Sequence, residues 1–207
     1  MRKRFFAWFW PRSERPLRED EDVAATRQAL VGDLSGDVLE IGCGTGPNFE
    51  YYPADARVTA TDYNEHMLPK ARADAETAAA SIELRLAHAS ALPFDDASFD
   101  AVVSTLVLCS VPDLGQALSE LRRVLKPGGT LRIFEHVRSD RRWVAAMQLI
   151  ANPAWGLVGD GCHLNRDTVS AVRSAGFEIE REELPQVSAL PVNLKHVALF
   201  ARRPVLS

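Results

Sequence analysis

Three glycines at alternate positions and two carboxylates form the part of the chain best suited to chemistry. An apolar run containing Glu40 leads into Gly42-Cys43-Gly44-Thr45-Gly46, and a second apolar run ends at Asp62. Glycines let a backbone approach a ligand closely and adopt positive φ angles. An acid at the end of the second strand of a βαβ unit, about 20 residues after the first glycine, can bind two ribose hydroxyls. The spacing therefore predicts a nucleoside site.

The glycine spacing also separates this loop from phosphate-binding loops. Dinucleotide sites use G-x-G-x-x-G, whose last glycine lets a helix N-terminus face a pyrophosphate. Here the spacing is G-x-G-x-G, and Glu40 precedes it. Glu40 would repel a pyrophosphate but suits a ligand that carries an ammonium group. S-adenosylmethionine (SAM) joins an adenosine to a cationic methionine and has no phosphate, so it fits both acids. The alternative interpretation is that the glycines only form a tight turn in an unrelated α/β protein and bind no cofactor.

At these residues the chain resembles the class I SAM-dependent methyltransferases, whose first motif is similar to residues 39–46. The resemblance implies a single-domain α/β fold with a doubly wound, seven-stranded, mostly parallel sheet whose last strand is antiparallel. His88 stands where the family commonly has an acid that binds adenine, so we expect the backbone near Ala89 and Ser90 to contribute. The candidate cofactor-binding residues are Glu40, Gly42, Cys43, Gly44, Gly46, Asp62, Tyr63, Met67, Ala89, Ser90, Thr105 and Leu106.

Composition limits the remaining possibilities. A length of 207 residues favours one domain, and a net charge of −4 argues against nucleic acid as a partner. Three widely spaced cysteines indicate free thiols in a reducing compartment. No Cys/His pairs have zinc-finger spacing, so we expect no metal. We find no signal peptide and expect a cytoplasmic protein, with peripheral membrane contact as an open alternative.

Apolar patterns predict the elements that must position these residues. Seven strands are predicted over residues 37–41, 57–61, 82–87, 101–108, 130–135, 177–184 and 194–201. Helices are predicted over residues 19–31, 48–52, 64–80, 113–125 and 143–150, with a short one after Asp167. Asp113 and Asp167 are expected to cap the helices that follow them. Residues 126–129 are expected to close the helix over 113–125, and residues 152–155 to break the helix over 143–150. Pro69 fits its helix only if that helix begins late.

Residues 1–16 form an aromatic and basic N-terminal arm, and residues 17–204 form the methyltransferase domain, with a linker over 12–17. The arm has five aromatic side chains behind three cations and is too short to span a bilayer. One interpretation packs these aromatics on the domain, over the cofactor mouth. The other places them at a lipid interface, with the cations on anionic headgroups.

Residues 141–165 are predicted to be an insertion on the substrate side of the sheet. Four short segments resemble the membrane-associated alkyl-thiol methyltransferases and their bacterial relatives. They are residues 105–111, 135–137, 152–155 and 160–166. Four apolar residues could either line a substrate pocket or pack the insertion onto the sheet: Trp143, Met147, Trp155 and Leu157. The resemblance implies a small apolar acceptor, most simply a thiol, and we expect a monomer or weak homodimer.

A thiol acceptor would benefit from a base, because a free thiol with a pKa near 8.5 is only a few per cent ionised at pH 7. His136, at the end of the fifth strand, is the first candidate, followed by His163 and Asp160. Cys109 is interpreted as a packing residue or part of the pocket wall, since direct transfer from a sulfonium needs no covalent enzyme intermediate. Methylation of a quinone, a phenol or a lipid amine stays open, as does a SAM-binding module without turnover.

Overall fold

A computed structural model describes residues 2–187 and 194–205 of the chain. Its centre is one seven-stranded sheet in the order β3-β2-β1-β4-β5-β7-β6. The strands are β1 (Gly36–Ile41), β2 (Ala56–Asp62), β3 (Ser81–Leu86), β4 (Phe99–Thr105), β5 (Leu125–His136), β6 (Glu178–Glu183) and β7 (His196–Arg202). β7 is antiparallel to both β5 and β6, and the other pairs are parallel. The predicted fold class is confirmed.

Helices cover both faces of this sheet, so it is doubly wound. They are α1 (Arg2–Ser13), α2 (Arg15–Arg18), α3 (Glu21–Val31), α4 (Leu68–Thr77), α5 (Leu114–Val124), α6 (Arg142–Val158) and α7 (Thr168–Ser174). A 3₁₀ turn occupies Phe49–Tyr51. Successive strand residues enter opposite layers of the core: Val38 packs with α3 and α4, whereas Leu39 packs with α5 and α7. Alternation along buried parallel strands explains their nearly continuous apolar sequence.

Capping side chains set where several helices begin. The carboxylates of Asp20, Asp113 and Asp167 accept backbone N–H groups at the starts of α3, α5 and α7. α4 begins at Leu68 and not after Asn64, so Pro69 falls in its first turn, where an N–H has no helical partner. The helix therefore begins late, as the position of Pro69 predicted.

Four local predictions were wrong. Residues 12–17 are largely helical, because α1 continues to Ser13 and α2 follows it. Residues 126–129 lie inside β5 and do not form a separate turn. α6 runs through Pro153, where residues 152–155 were expected to break it. The helix is exposed around residue 149, so water can satisfy the carbonyl that Pro153 leaves without a donor. β4 ends at Thr105 and not at residue 108, since Leu106 has a φ of 57°.

Candidate active site

The glycine loop after β1 lies at the carboxyl edge of the sheet. Gly42 has a φ of 61°, and a Cβ there would lie 2.4 Å from Val107 Cγ2. Gly44 has a φ of 60°, and a Cβ there would meet only Met67 Cε, 3.8 Å away. Gly42 thus lets the segment after β4 pack against the loop, whereas Gly44 leaves open space beside it. That space is what a closely bound nucleoside requires.

Asp62 joins the loop to the end of β2. Its Oδ2 accepts the Gly44 N–H at 3.0 Å, and its Oδ1 accepts the Asn64 N–H at 2.7 Å. Burial raises the pKa of Asp62, although both hydrogen bonds act in the opposite direction. A carboxylate oxygen accepts more than one hydrogen bond, so Asp62 can still receive two ribose hydroxyls. The acid and the open space beside Gly44 together fit a ribose.

Glu40 is buried and has protein partners for both oxygens. Asn48 Nδ2 donates to Oε1 at 2.9 Å, and the Tyr52 hydroxyl donates to Oε2 at 2.8 Å. Burial raises the pKa of Glu40 to about 7, although both hydrogen bonds and the charge of Arg27 act to lower it. Asn48 also donates to Thr105 Oγ1 at 2.9 Å. The sequence suggested a carboxylate aimed at the ligand, but here Glu40 fixes the turn behind the loop.

Two rings lie next to each other after β2 and β3, where the sequence predicts the adenine. The Tyr63 and His88 rings have centroids 5.3 Å apart. A bridge between His88 and Ala91 places Ala89 and Ser90 in a tight turn after β3. Met67 is buried next to Gly44, and the Cys43 N–H donates to the Thr61 carbonyl. The residues predicted from the loop and strand ends therefore lie at the carboxyl ends of β1 to β4.

α1 and α2 also contact this mouth. Asn64 Nδ2 donates to the Lys3 carbonyl at 2.9 Å, and Lys3 Nζ lies 4.5 Å from the Tyr63 ring centroid. Thr45 Oγ1 donates to Glu14 Oε2 at 2.7 Å and accepts from Arg18 at 2.6 Å. Polar groups therefore tie the N-terminal segment to both sides of the glycine loop. The aromatic packing that one sequence interpretation expected is incomplete, because Phe5 and Trp8 are exposed.

Glu135 orders the segment that follows β4. Its Oε1 accepts the Val107 and Leu108 N–H groups at 2.7 and 2.6 Å, and its Oε2 accepts the Cys109 N–H at 3.3 Å. Burial raises the pKa of Glu135 to about 7. Leu106 makes the turn with its positive φ, a strained conformation of the kind found at functional sites. Sequence reasoning placed Glu135 at this edge but gave it no role.

Next to this segment, Cys109, His136 and Cys162 form a buried group, here called the sulfur–imidazole cluster. His136 Nε2 lies 2.9 Å from Cys162 Sγ, and the two Sγ atoms are 3.7 Å apart. Hydrogen bonding with Cys109, and then with His136, lowers the pKa of Cys162 despite its burial. Burial acts to lower the pKa of His136, but Cys162 outweighs it and raises that pKa.

The three predicted bases are not brought together. His136 belongs to the cluster, whereas the side chain of His163 is exposed. The backbone N–H of His163 donates to the Cys109 carbonyl at 2.9 Å. Asp160 is buried, with a φ of 52°, and its charge helps to raise the pKa of Asp62. Asp160 therefore lies on the cofactor side. Arg166 donates to the Leu108 and Val111 carbonyls, both at 2.5 Å, and so holds the segment after β4.

The four apolar residues of the insertion are all exposed along α6. Their exposed fractions are Trp143 64%, Met147 60%, Trp155 44% and Leu157 74%. Trp143, Met147 and Leu157 are too exposed to pack α6 onto the sheet, whereas the side chain of Trp155 hydrogen-bonds to Cys162. The interpretation that these residues line a substrate pocket stays a prediction. A substrate wall from this helix would need a further apolar surface opposite it.

Within the described residues, no helix combines the length and apolar run needed to cross a bilayer.

Comparison with known proteins agrees with this geometry. A family described as "Methyltransferase domain" matches residues 39–133. The chain is 38% identical to human thiol S-methyltransferase TMT1B over 88% of this chain and 78% of that protein. It is 36% identical to human thiol S-methyltransferase TMT1A, over 84% and 76%. A SAM-dependent methyltransferase from Mesorhizobium loti has the same fold, with a TM-score of 0.68, 21% identity and coverage of 90% and 100%.

The level of identity to the two human proteins, over most of both chains, goes beyond a shared fold. The matched region includes the glycine loop, Asp62 and the segment after β4, which build the candidate site. The chain therefore belongs to the SAM-dependent methyltransferase family that includes TMT1A and TMT1B.

Proposed function

We propose that this enzyme transfers the methyl group of SAM to a small apolar thiol. The observation that carries the proposal is the sulfur–imidazole cluster, which lies beside the segment that packs on Gly42. Two relatives are named as thiol S-methyltransferases, and this chain covers more than two thirds of each. A neutral thiol is a poor nucleophile, so a site for thiol methylation needs a means of ionising it.

Bound SAM would supply a methyl group on a positively charged sulfur. Asp62 would receive the ribose hydroxyls, while the Asn64 and Gly44 N–H groups hold its carboxylate in place. The open space at Gly44 would admit the backbone-facing side of the ligand. Glu40 holds Asn48 and Tyr52, and its charge favours a cationic ligand nearby. These residues therefore orient the donor, and orientation can supply several kcal/mol of the rate enhancement.

On the acceptor side, we place ionisation of the thiol at the sulfur–imidazole cluster. His136 stands where the sequence predicted a base, but its Nε2 already contacts Cys162. The three side chains of the cluster therefore act as a unit. His163 is exposed and Asp160 lies near Asp62, so we assign them the tasks of fixing the Cys109 carbonyl and closing the cofactor side.

We further propose that the protein works in the cytoplasm, as a monomer or weak homodimer, and contacts membranes peripherally. The support is a set of exposed apolar side chains on the two helices that border the site. On α1, Phe5 and Trp8 are 49% and 57% exposed, next to Arg4 and Arg12. On α6, Ile150 is 80% exposed. Aromatic and aliphatic groups beside cations suit an anionic lipid surface, from which an apolar thiol could enter.

The proposed reaction can be tested with three acceptors of equal apolar size: an alkyl thiol, a phenol and a primary amine. Each is incubated with methyl-labelled SAM and the full chain, and the product is identified by mass spectrometry. We expect the methyl thioether to form at least tenfold faster than either other product. Faster methylation of the phenol or the amine would overturn the thiol assignment. Tight SAM binding with no product from any acceptor would indicate a binding module.

A further inference from the structure

We propose that Cys109, Cys162 and His136 form a binding site for a zinc-like divalent metal ion. Cys109 comes from the segment after β4, His136 ends β5, and Cys162 follows α6. The Sγ, Sγ and Nε2 atoms all lie within 4.8 Å of one another, and all three residues are buried. Sulfur and imidazole nitrogen are the donors that zinc prefers, whereas magnesium and calcium require oxygen.

The spacing of the two sulfurs suits a shared metal ion. Two thiolates bound tetrahedrally to zinc, each at about 2.3 Å, lie roughly 3.8 Å apart. The Sγ atoms of Cys109 and Cys162 are 3.7 Å apart. An imidazole nitrogen and a thiolate on the same ion would lie about 3.6 Å apart. The 2.9 Å contact between His136 and Cys162 must therefore lengthen on binding. A small movement of the His136 ring achieves that.

A divalent cation would allow both thiols of the cluster to ionise despite their burial. Two buried thiolates without a counter-ion would pay a large desolvation penalty, and one divalent ion neutralises both. The adjacent carboxylate of Glu135 is engaged by the N–H groups of residues 107–109. Within the described part of the chain, His136 Nδ1 has no hydrogen-bond partner. Nε2, which faces the sulfurs, is thus the coordinating nitrogen.

Three protein ligands leave one position of a tetrahedral ion free, as in catalytic zinc sites. A role for this free position in the reaction rests on the proposed function. The acceptor thiol would bind there as a thiolate, and its proton would pass to water. The thiolate sulfur then forms a bond to the methyl carbon, while the bond from that carbon to the sulfonium breaks. The electron pair of that bond stays on the sulfur of S-adenosylhomocysteine. The neutral thioether binds the metal weakly and leaves.

Cobalt(II) titration tests the metal site without SAM or thiol. The full chain is purified under reducing conditions, treated with a chelator and titrated with cobalt(II). We expect thiolate-to-cobalt charge-transfer absorption that saturates at one ion per chain and disappears when zinc is added. Cys162→Ser, Cys109→Ser and His136→Asn should each weaken binding at least tenfold. Cys43→Ser removes the third cysteine, outside the cluster, and should leave the absorption unchanged.

Circular dichroism of each variant shows whether it has folded, and any unfolded variant is replaced by its alanine counterpart. A wild-type chain without the charge-transfer band, or a band that persists in Cys162→Ser and His136→Asn, would overturn the site. If the metal-free chain methylates the thiol at the full rate, the metal ion has no part in the reaction. One bound ion per chain without thiol methylation would support the site and contradict only the proposed function.

Discussion

At the level of single residues, Asp62 at the end of β2 and Glu40 near the end of β1 have different environments. Asp62 accepts two backbone N–H groups and borders the open space at Gly44. Glu40 is enclosed by Asn48 and Tyr52, one turn behind the loop. We therefore expect Asp62 to contact the ligand, and Glu40 to support the loop and contribute charge. Sequence reasoning assigned Asp62 to the ribose and Glu40 to the cationic end of the ligand, because spacing alone does not reveal which carboxylate already has protein partners.

Replacing Asp62 with alanine should weaken SAM binding roughly 10- to 100-fold. Hydrogen bonds to a charged group contribute about 1.5–3 kcal/mol, and each 1.4 kcal/mol is a factor of about ten in affinity. Isothermal titration calorimetry measures this dissociation constant directly. Asp55→Ala removes an exposed carboxylate elsewhere on the chain and serves as the matched control. Equal affinity in Asp62→Ala and Asp55→Ala would remove Asp62 from the site.

Glu40 should make stability depend on pH. Its pKa is raised to about 7 in the folded chain, from an ordinary value near 4.5. Between these values the folded chain keeps a proton that the unfolded chain releases. The free energy of unfolding attributable to Glu40 therefore falls as pH rises from about 4.5 to about 7, by up to roughly 3 kcal/mol. Arg27 and Tyr52 face Glu40 and are common to wild type and Glu40→Gln.

Urea denaturation of wild type and Glu40→Gln at pH 5 and pH 8 measures this effect. We expect the stability of Glu40→Gln relative to wild type to increase between the two pH values. Glu135 titrates in both proteins, so its contribution cancels in the difference. A difference that is the same at both pH values would show that Glu40 is ionised throughout.

At the level of helices and strands, residue patterns predicted most elements but not their ends. The seven strands follow from apolar runs that must be buried on one or both faces. Asp113 and Asp167 were recognised as caps because a short acidic side chain satisfies free N–H groups. A break was predicted over residues 152–155, yet α6 continues through Pro153 because an exposed helix can leave one carbonyl to water. α2 and the end of α1 were missed, since the arginines and prolines over residues 12–17 resembled a linker.

The exposed apolar surface of α6 gives a prediction about membranes. Ile150→Ser combined with Leu157→Ser should reduce sedimentation with anionic phosphatidylserine vesicles severalfold, because less apolar area enters the headgroup region. Leu184→Ser is the control, since Leu184 is 57% exposed but lies after β6. If all three proteins sediment equally, or none sediments above its level without vesicles, the peripheral contact is wrong.

At the level of the whole molecule, the cluster shows where sequence reasoning ends. Cys109, His136 and Cys162 are separated by 27 and 26 positions, so no local spacing joins them. Only the strand order brings β4 next to β5, and the segment after α6 then returns to their carboxyl edge. The sequence identified His136 as a candidate base and Cys109 as a wall. It assigned no role to the sulfur of Cys162.

The increase in stability that a bound ligand causes should show whether the chain binds a SAM-type ligand or NAD. S-adenosylhomocysteine at 100 times its dissociation constant adds about 2.7 kcal/mol to the free energy of unfolding. For a domain of this size, that raises the unfolding temperature by about 5–10 °C. Thermal unfolding in the presence of each ligand provides the measurement, with NAD as the comparison. A similar increase with NAD would contradict the interpretation of the glycine loop.

The most direct test of the central claim is a crystal structure of the full chain with S-adenosylhomocysteine. We expect the ribose hydroxyls to contact the Asp62 carboxylate and the ligand sulfur to face the side of the sheet that carries Cys109, His136 and Cys162. A ligand whose ribose lies away from Asp62, or whose sulfur points away from the cluster, would contradict both the cofactor site and the proposed thiol chemistry.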